Sequence, residues 1–184
     1  MNAVIICPDI RESAGFARRI KPLALFPVLG RALIDLWLER LASDGVKFVT
    51  VLAADRPDEI RRAIGKGDRW GLLVTVLPVA SEPSLDQARL FGADAQARVL
   101  KLDSLPSLPQ IPLWESAEEL FGVMMKEFRH TEIAPHLTMR RIAPDVFIST
   151  RARVSPKATI EGPAWIGPQV IIGPGAHIMP GTII

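Results

Sequence analysis

The sequence predicts an α/β protein in which a shortened parallel-sheet domain is followed by a left-handed parallel β-helix. Two observations support this prediction. In the first half of the chain, short apolar runs alternate with helical patterns, which is typical of βαβ units and of a parallel sheet. In the last segment, residues 148–184, aliphatic residues return at every sixth position and the register never slips.

The first two strand patterns are apolar runs rich in β-branched residues, as expected for strands buried on both faces of a sheet. The helical patterns end before Gly45 and Gly65, since glycine suits the end of a helix, and Pro57 suits a first helical position. The predicted elements are, in order, a strand at residues 3–7, a helix at 32–43, a strand at 46–53, a helix at 57–64 and a strand at 72–77.

Beyond the third strand the pattern weakens. Residues 99–102 are a candidate fourth strand, after which Pro106, Pro109 and Pro112 indicate a connector. Ser116, followed three residues later by Glu119, is a capping-box pattern, and the helix that it predicts should pack on the sheet domain. We therefore divide the chain into an α/β domain at residues 1–112, a linker with one helix at 113–147 and the β-helix at 148–184.

The repeats divide into six hexapeptides that share two columns of apolar or small residues. In a left-handed β-helix each hexapeptide forms one flat side and three such sides form one coil, so the first and fifth positions should face the interior. A disordered tail rich in Gly and Pro is the alternative, but six aliphatic positions in phase argue against it. His177 is interpreted as a surface residue. The first positions are Ile148, Val154, Ile160, Ile166, Ile172 and Ile178, and the fifth are Ala152, Ala158, Ala164, Val170, Ala176 and Thr182.

Charge and hydrophobicity argue against two classes of function, namely nucleic-acid binding and membrane association. The formal net charge is +2, from 22 basic and 20 acidic residues without long runs of one sign, so we expect neither a nucleic-acid partner nor a membrane surface. Cys7 has no second cysteine to pair with. The amino terminus lacks the pattern of a signal peptide, and the apolar runs are far shorter than the roughly 20 residues of a membrane span. A cytoplasmic location is expected.

Three segments resemble sugar-phosphate nucleotidyltransferases, also called nucleotide-sugar pyrophosphorylases. They are FPVLGRALID at residues 26–35, RPDEI at 56–60 and DRWG at 68–71. An α/β domain followed by hexapeptide coils is also similar to this family. The resemblance implies a Rossmann-like nucleotidyltransferase domain, here shortened, and a reaction between a nucleoside triphosphate and a sugar 1-phosphate with Mg²⁺ as the cofactor.

The phosphate-binding loop departs from the family pattern. Relatives carry Leu-Ala-Ala-Gly-x-Gly-Thr-Arg after the first strand, whereas residues 6–13 here read ICPDIRES, and Leu23 stands where the family has its lysine. Asp9 and Glu12 would place carboxylates where phosphate oxygens bind. A shifted register could recruit other residues, although basic side chains on a solvated loop are the simpler interpretation. The candidates for nucleotide or phosphate binding are Gly15, Arg18, Arg19 and Lys21.

Two further departures lie downstream. The family's glycine-containing segment for the base corresponds to SLDQAR at residues 84–89, which has no glycine, and Asp103 is the one candidate for the Mg²⁺ position. Only residues 105–144 remain for the sugar-binding half, most of which is therefore missing. No residue is assigned a catalytic role.

These departures favour a catalytically inactive, nucleotidyltransferase-like protein of nucleotide-sugar metabolism that acts in assembly, regulation or ligand sensing. Its partners would be copies of itself or an active paralogue, bound through the β-helix with the open end at Ile184 as the expected contact, and its ligand a nucleotide or nucleotide-sugar. An active NTP:sugar-1-phosphate nucleotidyltransferase with a rewired loop is the alternative. A hexapeptide acyltransferase fragment is the third reading.

Overall fold

The computed structural model describes residues 1–11, 21–92, 97–130 and 138–184. The chain divides into two compact units, Met1–Val123 and Met124–Ile184. None of the helices in the described ranges is long and apolar enough to cross a membrane.

The first unit contains both strands and helices. Two short 3₁₀ turns occur at Leu23–Leu25 and Asp68–Trp70. The other elements are, in chain order, β1 (Asn2–Ile6), β2 (Pro27–Val28), β3 (Arg31–Ala32), α1 (Leu33–Ser43), β4 (Phe48–Ala53), α2 (Pro57–Ile64), β5 (Leu73–Pro78), α3 (Leu85–Arg89), β6 (Arg98–Lys101), β7 (Ser104–Leu105), β8 (Leu108–Pro112) and α4 (Ala117–His130), the last of which continues into the second unit.

A four-stranded parallel sheet forms the centre of the first unit, in the order β5-β4-β1-β6. This confirms the predicted α/β class and the predicted fourth strand. The inner strand β1 is deeply buried, since Val4, Ile5 and Ile6 are fully covered. Continuous apolar runs are needed here, since a strand in the middle of a covered parallel sheet has no solvent face.

The helices α1 and α2 both end close to a glycine. In α1, five large side chains face the interior, and each contributes about 1.5–3 kcal/mol through burial. Gly45 follows α1 with a φ of 81°, and Gly65 caps α2 with a φ of 60°, a left-handed conformation that glycine adopts without strain. The buried side chains of α1 are Leu33, Ile34, Trp37, Leu38 and Leu41.

The stretch predicted to be a plain connector has structure of its own. β7 and β8 form an antiparallel pair, with Ser104 opposite Pro112 and Leu105 opposite Leu108. Proline is tolerated here because a two-stranded pair leaves one edge of each strand free of ladder hydrogen bonds. The predicted start of the next helix is supported, since the Ser116 hydroxyl accepts a hydrogen bond from the Glu119 backbone N–H at 3.1 Å.

Strands dominate the second unit. They are β9 (Met139–Ala143), β10 (Val146–Ser149), β11 (Arg153–Val154), β12 (Thr159–Ile160), β13 (Ala164–Ile166), β14 (Ile171–Ile172), β15 (His177–Ile178) and β16 (Thr182–Ile183). β9 pairs antiparallel with β10, and every other pair is parallel. The predicted linker, residues 113–147, thus contains β9 and the beginning of β10.

The parallel partners in the second unit stand three hexapeptides apart along the chain. Val146 pairs with Ala164, Arg153 with Ile171 and Thr159 with His177. We call the stretch from a strand to its parallel partner a coil, so residues 146–163 form the first coil. This spacing is the one expected of a coil in which each of three sides is a hexapeptide.

The aliphatic columns of the repeat meet in one apolar cluster. All six first-position residues belong to it, together with the fifth-position residues from Ala152 to Ala176. Thr182, the last of the fifth-position column, instead donates its hydroxyl hydrogen to the Met179 carbonyl at 2.7 Å. Val146 joins the cluster ahead of the first hexapeptide because it lies two residues before Ile148 and therefore faces the same side of β10.

Two neighbouring isoleucines of β14 test which column stabilises the second unit. Ile172 is 6% exposed and lies in the cluster, whereas Ile171 is 75% exposed. We expect Ile172→Ala to lower the free energy of unfolding by about 2–4 kcal/mol, because it leaves a cavity among packed side chains.

The matched control, Ile171→Ala, removes the same atoms from an exposed site and should change that free energy by less than about 0.5 kcal/mol. Urea unfolding followed by circular dichroism measures both. Equal losses in the two variants would contradict the inward placement of the first-position column.

Candidate functional site

The carboxyl ends of the parallel strands bring together several charged side chains from distant parts of the first unit. In open α/β sheets these ends meet at one edge, where ligands generally bind. Residues 7–11 follow β1, Asp55 and Arg56 follow β4, Glu82 lies in the loop after β5, and Asp103 follows β6. The carboxyl edge of the sheet is therefore the candidate site.

Glu82 is the central group at this edge. Its side chain is only 12% exposed. One carboxylate oxygen accepts a hydrogen bond from the backbone N–H of Asp9 at 3.0 Å and pairs with the guanidinium of Arg11. The other oxygen lies 3.4 Å from Nζ of Lys101. A backbone amide and two cations thus surround a single carboxylate, as they would surround a bound anion.

The sheet order brings these donors together. β1 and β6 are neighbours, and Ile6 pairs with Lys101, so the last side chain of β6 lies beside the segment that leaves β1. Glu82 comes from the far side of the sheet, on the loop after β5. That loop leads into α3, whose Ala88 packs against Val4 and Ile6 of β1. The return of the chain from β5 to β1 carries Glu82 to its partners.

The loop before α3 is held in place by local hydrogen bonds. The Ser84 hydroxyl accepts a hydrogen bond from the Gln87 backbone N–H at 3.2 Å, and the Gln87 side chain accepts one from the Ser84 backbone N–H at 2.9 Å. This capping box, with Ser84 as the N-cap, fixes the start of α3 three residues after Glu82. The segment that should bind the base by resemblance is here a short helix.

Charge pairing makes Glu82 a stronger acid than an ordinary glutamate. Burial alone would raise its pKa, but the amide of Asp9 and the guanidinium of Arg11 outweigh burial and hold the pKa below its usual range. The carboxylate is therefore ionised at neutral pH. Its negative charge offsets one of the two positive charges of Arg11 and Lys101.

A second ion pair lies at the end of β4. The guanidinium of Arg56 donates two hydrogen bonds to Asp55, each at 2.9 Å, and the hydrogen bond to Asp55 is the main cause of the raised pKa of Arg56. Arg56 adopts a left-handed conformation with a φ of 44°, directly before Pro57 starts α2. Its guanidinium thus turns back onto the preceding carboxylate.

Cys7 is a poor nucleophile at this edge. The thiol is buried, and burial, with a smaller contribution from the charge of Glu82, raises its pKa well above the usual value. Nucleophilic chemistry requires the thiolate, which such a pKa disfavours. Cys7 is a core residue.

The family-like segments contact each other on α1. Asp35, at the end of the FPVLGRALID segment, accepts a hydrogen bond from Arg69 of the DRWG segment at 2.7 Å. The guanidinium of Arg69 also lies 3.9 Å from the ring centre of Trp70. Burial raises the pKa of Asp35, although Arg69 and Arg31 oppose this. These contacts join α1 to the turn after α2.

Most of the predicted site residues fall outside the described ranges or remain untested. Gly15, Arg18 and Arg19 lie outside the described residues, and Lys21 is exposed. Asp103 follows β6, and its backbone carbonyl accepts a hydrogen bond from Leu113 N–H at 2.7 Å. Among the residues that the structure describes, no group of three or more His, Cys, Asp and Glu side chains could hold a metal ion. Mg²⁺ binding at Asp103 stays a prediction.

The role of Glu82 at the carboxyl edge was not predicted from the sequence. A signal was present, because this acidic residue follows a predicted strand and precedes a proline and a capping box. His177, interpreted as a surface residue, lies 2.6 Å from Glu161 on the neighbouring coil, and both side chains are about half exposed.

Comparison with known proteins finds a partial match. The glucose-1-phosphate thymidylyltransferase of Streptomyces griseus is 28% identical over 88 residues, which is 45% of this chain and 25% of that protein. The match thus spans a quarter of the relative's length. It supports a relationship to the nucleotidyltransferases. No model of a known protein family matches the chain.

Replacing Glu82 by Gln tests the role of its charge in stability. The folded pKa of Glu82 lies below the unfolded value of about 4.3, so its charge stabilises the fold above that pH and stops doing so as the pH falls through the folded pKa. We expect Glu82→Gln to cost about 1–2 kcal/mol of unfolding free energy at pH 7.

Urea unfolding at pH 7 and near pH 3 measures the difference between the wild type and the variant. That difference should shrink at the lower pH. The control is Asp58→Asn, which removes a carboxylate that is 80% exposed and paired with Arg61, and should cost less than about 0.5 kcal/mol at either pH. A cost of Glu82→Gln that did not change with pH would contradict the ion-pair account.

Proposed function

We propose that this chain is a nucleotidyltransferase-like protein of nucleotide-sugar metabolism that no longer transfers nucleotides. Its second unit, a left-handed β-helix of hexapeptides, serves assembly, regulation or ligand sensing. The similarity to the thymidylyltransferase supports the link to nucleotide-sugars. The contacts of Glu82 support the loss of transfer.

The main support for this proposal is that the Glu82 carboxylate of the chain itself occupies the anion-binding groups at the carboxyl edge. A triphosphate needs backbone N–H groups and basic side chains that are free to surround it. Here the N–H of Asp9, the guanidinium of Arg11 and Nζ of Lys101 all contact Glu82. A nucleotide would have to displace a partly buried carboxylate that is bound within the same chain.

The charge balance at this edge also disfavours a polyanion. Glu82 offsets one of its two cationic partners, and the Asp9 carboxylate accepts a hydrogen bond from Ile10 N–H at 2.7 Å in the same segment. Asp55 pairs with Arg56 at the end of the next strand. Each cation named here already has a carboxylate partner, so these described side chains together carry little net positive charge for phosphate groups.

The pairing pattern supports the proposed β-helix. Short parallel strands recur every third hexapeptide on three separate ladders, and the aliphatic columns share one interior cluster. Such coils commonly associate through exposed ends and edges. The proposed partners are further copies of this chain or an active paralogue, and the proposed setting is the cytoplasm.

The direct test is an assay for pyrophosphate release. The full chain would be incubated with each nucleoside triphosphate, common sugar 1-phosphates and Mg²⁺, beside an active glucose-1-phosphate thymidylyltransferase as the positive control. We expect no release above the rate without protein, because the anion-binding groups are engaged by Glu82. Turnover that disappears in Asp103→Ala would overturn the proposal and favour the active enzyme.

A further inference from the structure

The second unit has a cavity of about 510 Å³ at one end of its first coil. This volume lies within the roughly 300–1,000 Å³ of typical small-molecule sites. Part of the wall is aliphatic and comes from the two inward columns of the repeat, namely Ile148, Val154 and Ile160 with Ala152 and Ala158, and polar groups line the rest of it. The cavity therefore opens directly onto the apolar interior of the coil.

Strand pairing covers only part of this end of the coil. β10 has β13 on one side and β9 on the other. Within the described residues, β11 pairs only with β14, and β12 only with β15. The side chains of Val154 and Ile160 consequently remain partly exposed, although they occupy inward positions. An aliphatic group placed in the cavity would be shielded from water at low structural cost.

A charged residue, Arg140, lines the cavity beside these aliphatic side chains. Arg140 of β9 is directly opposite Ile148 of β10, so the two side chains share one face of the pair, and both line the cavity. Ile142, two residues further along β9, also lines it and is 54% exposed. Arg153 adds a second basic residue to the wall. Neither arginine has an acidic partner among the residues that the structure describes.

We propose that this cavity binds an aliphatic carboxylate, with the chain against the inward columns of the first coil and the carboxylate on Arg140. The aliphatic part of the wall favours a ligand with an aliphatic chain. The guanidinium of Arg140 favours a negatively charged group at the end of that chain. Arg153 adds to the positive potential at the same end. This inference assigns a ligand class to the proposed sensing role, and it is independent of any chemistry in the first unit.

An alternative explanation is that Arg140 only protects an open edge. Charged side chains that point inward on edge strands prevent edge-to-edge association of sheets. In that case Arg140→Gln would cause self-association, and no aliphatic acid would bind. The two explanations therefore differ in measurable outcomes.

The test uses the full chain and dodecanoate, titrated by calorimetry below the concentration at which it forms micelles. We expect saturable binding of one dodecanoate per chain. Arg140→Gln should weaken binding about tenfold, as expected for the loss of a charge-assisted hydrogen bond. Ile142→Glu should weaken it at least as much, because it places a competing carboxylate beside Arg140 at an exposed position.

Matched controls separate head-group recognition from simple partitioning. Arg151→Gln makes the same change at an exposed arginine outside the cavity lining and should leave the affinity unchanged. Dodecanol, which has no charge, should bind wild type about tenfold more weakly than dodecanoate. Sedimentation of each variant reports self-association.

Three results would overturn the proposal. They are no saturable binding of dodecanoate, equal affinity for dodecanoate and dodecanol, or equal affinity of the wild type and Arg140→Gln. Self-association of Arg140→Gln without dodecanoate binding to the wild type would establish the edge-protection explanation. The pyrophosphate assay does not involve this cavity, so either proposal can fail without the other.

Discussion

The carboxyl edge of the sheet depends on the pairing of the Glu82 carboxylate. A carboxylate that is almost covered loses its hydration, and only nearby donors can compensate for that loss. The chain supplies three donors from two segments, namely the amide of Asp9 and the guanidinium of Arg11 after β1, and the ammonium of Lys101 at the end of β6. The donors that compensate for the lost hydration of Glu82 are also groups that could bind a phosphate. The Glu82 carboxylate and an external anion would therefore compete for the same donors.

The sequence predicted elements well where local rules decide. Pro57 and Gly65 bound α2 at the predicted residues, and the apolar runs of β1, β4 and β5 lie within two residues of their predicted limits. What could not be predicted is non-local. The order β5-β4-β1-β6, and with it the meeting of Glu82 with residues 71 to 73 positions earlier, follows from packing of the whole unit. The β7–β8 pair was missed because prolines break patterns but are compatible with a two-stranded edge.

In the second unit, too, local patterns were predictable from the sequence and non-local contacts were not. Its interior follows from a column pattern that is visible in the sequence, since each aliphatic first position joins one cluster. The environment of Arg140 does not, because β9 lies before the repeats and pairs antiparallel with the first of them. β9 contributes both Arg140 and Ile142 to the end of the first coil, so this end is partly charged and partly apolar. The periodicity of the repeats alone does not predict this. The two units thus carry separate proposals, and each depends on a charged group that the sequence pattern left unassigned.

The central claim is that the chain's own carboxylate keeps nucleotides from the carboxyl edge. Binding tests this more directly than turnover, because an enzyme can bind a nucleotide and still lack one catalytic group. Calorimetric titration of the wild-type chain with each of the four nucleoside triphosphates and Mg²⁺ is the decisive measurement. The account predicts no binding heat and no thermal stabilisation by any of them. Saturable binding to the wild type that Arg11→Gln or Lys101→Gln weakens would contradict it, since these cations would then be available to phosphate in the presence of Glu82.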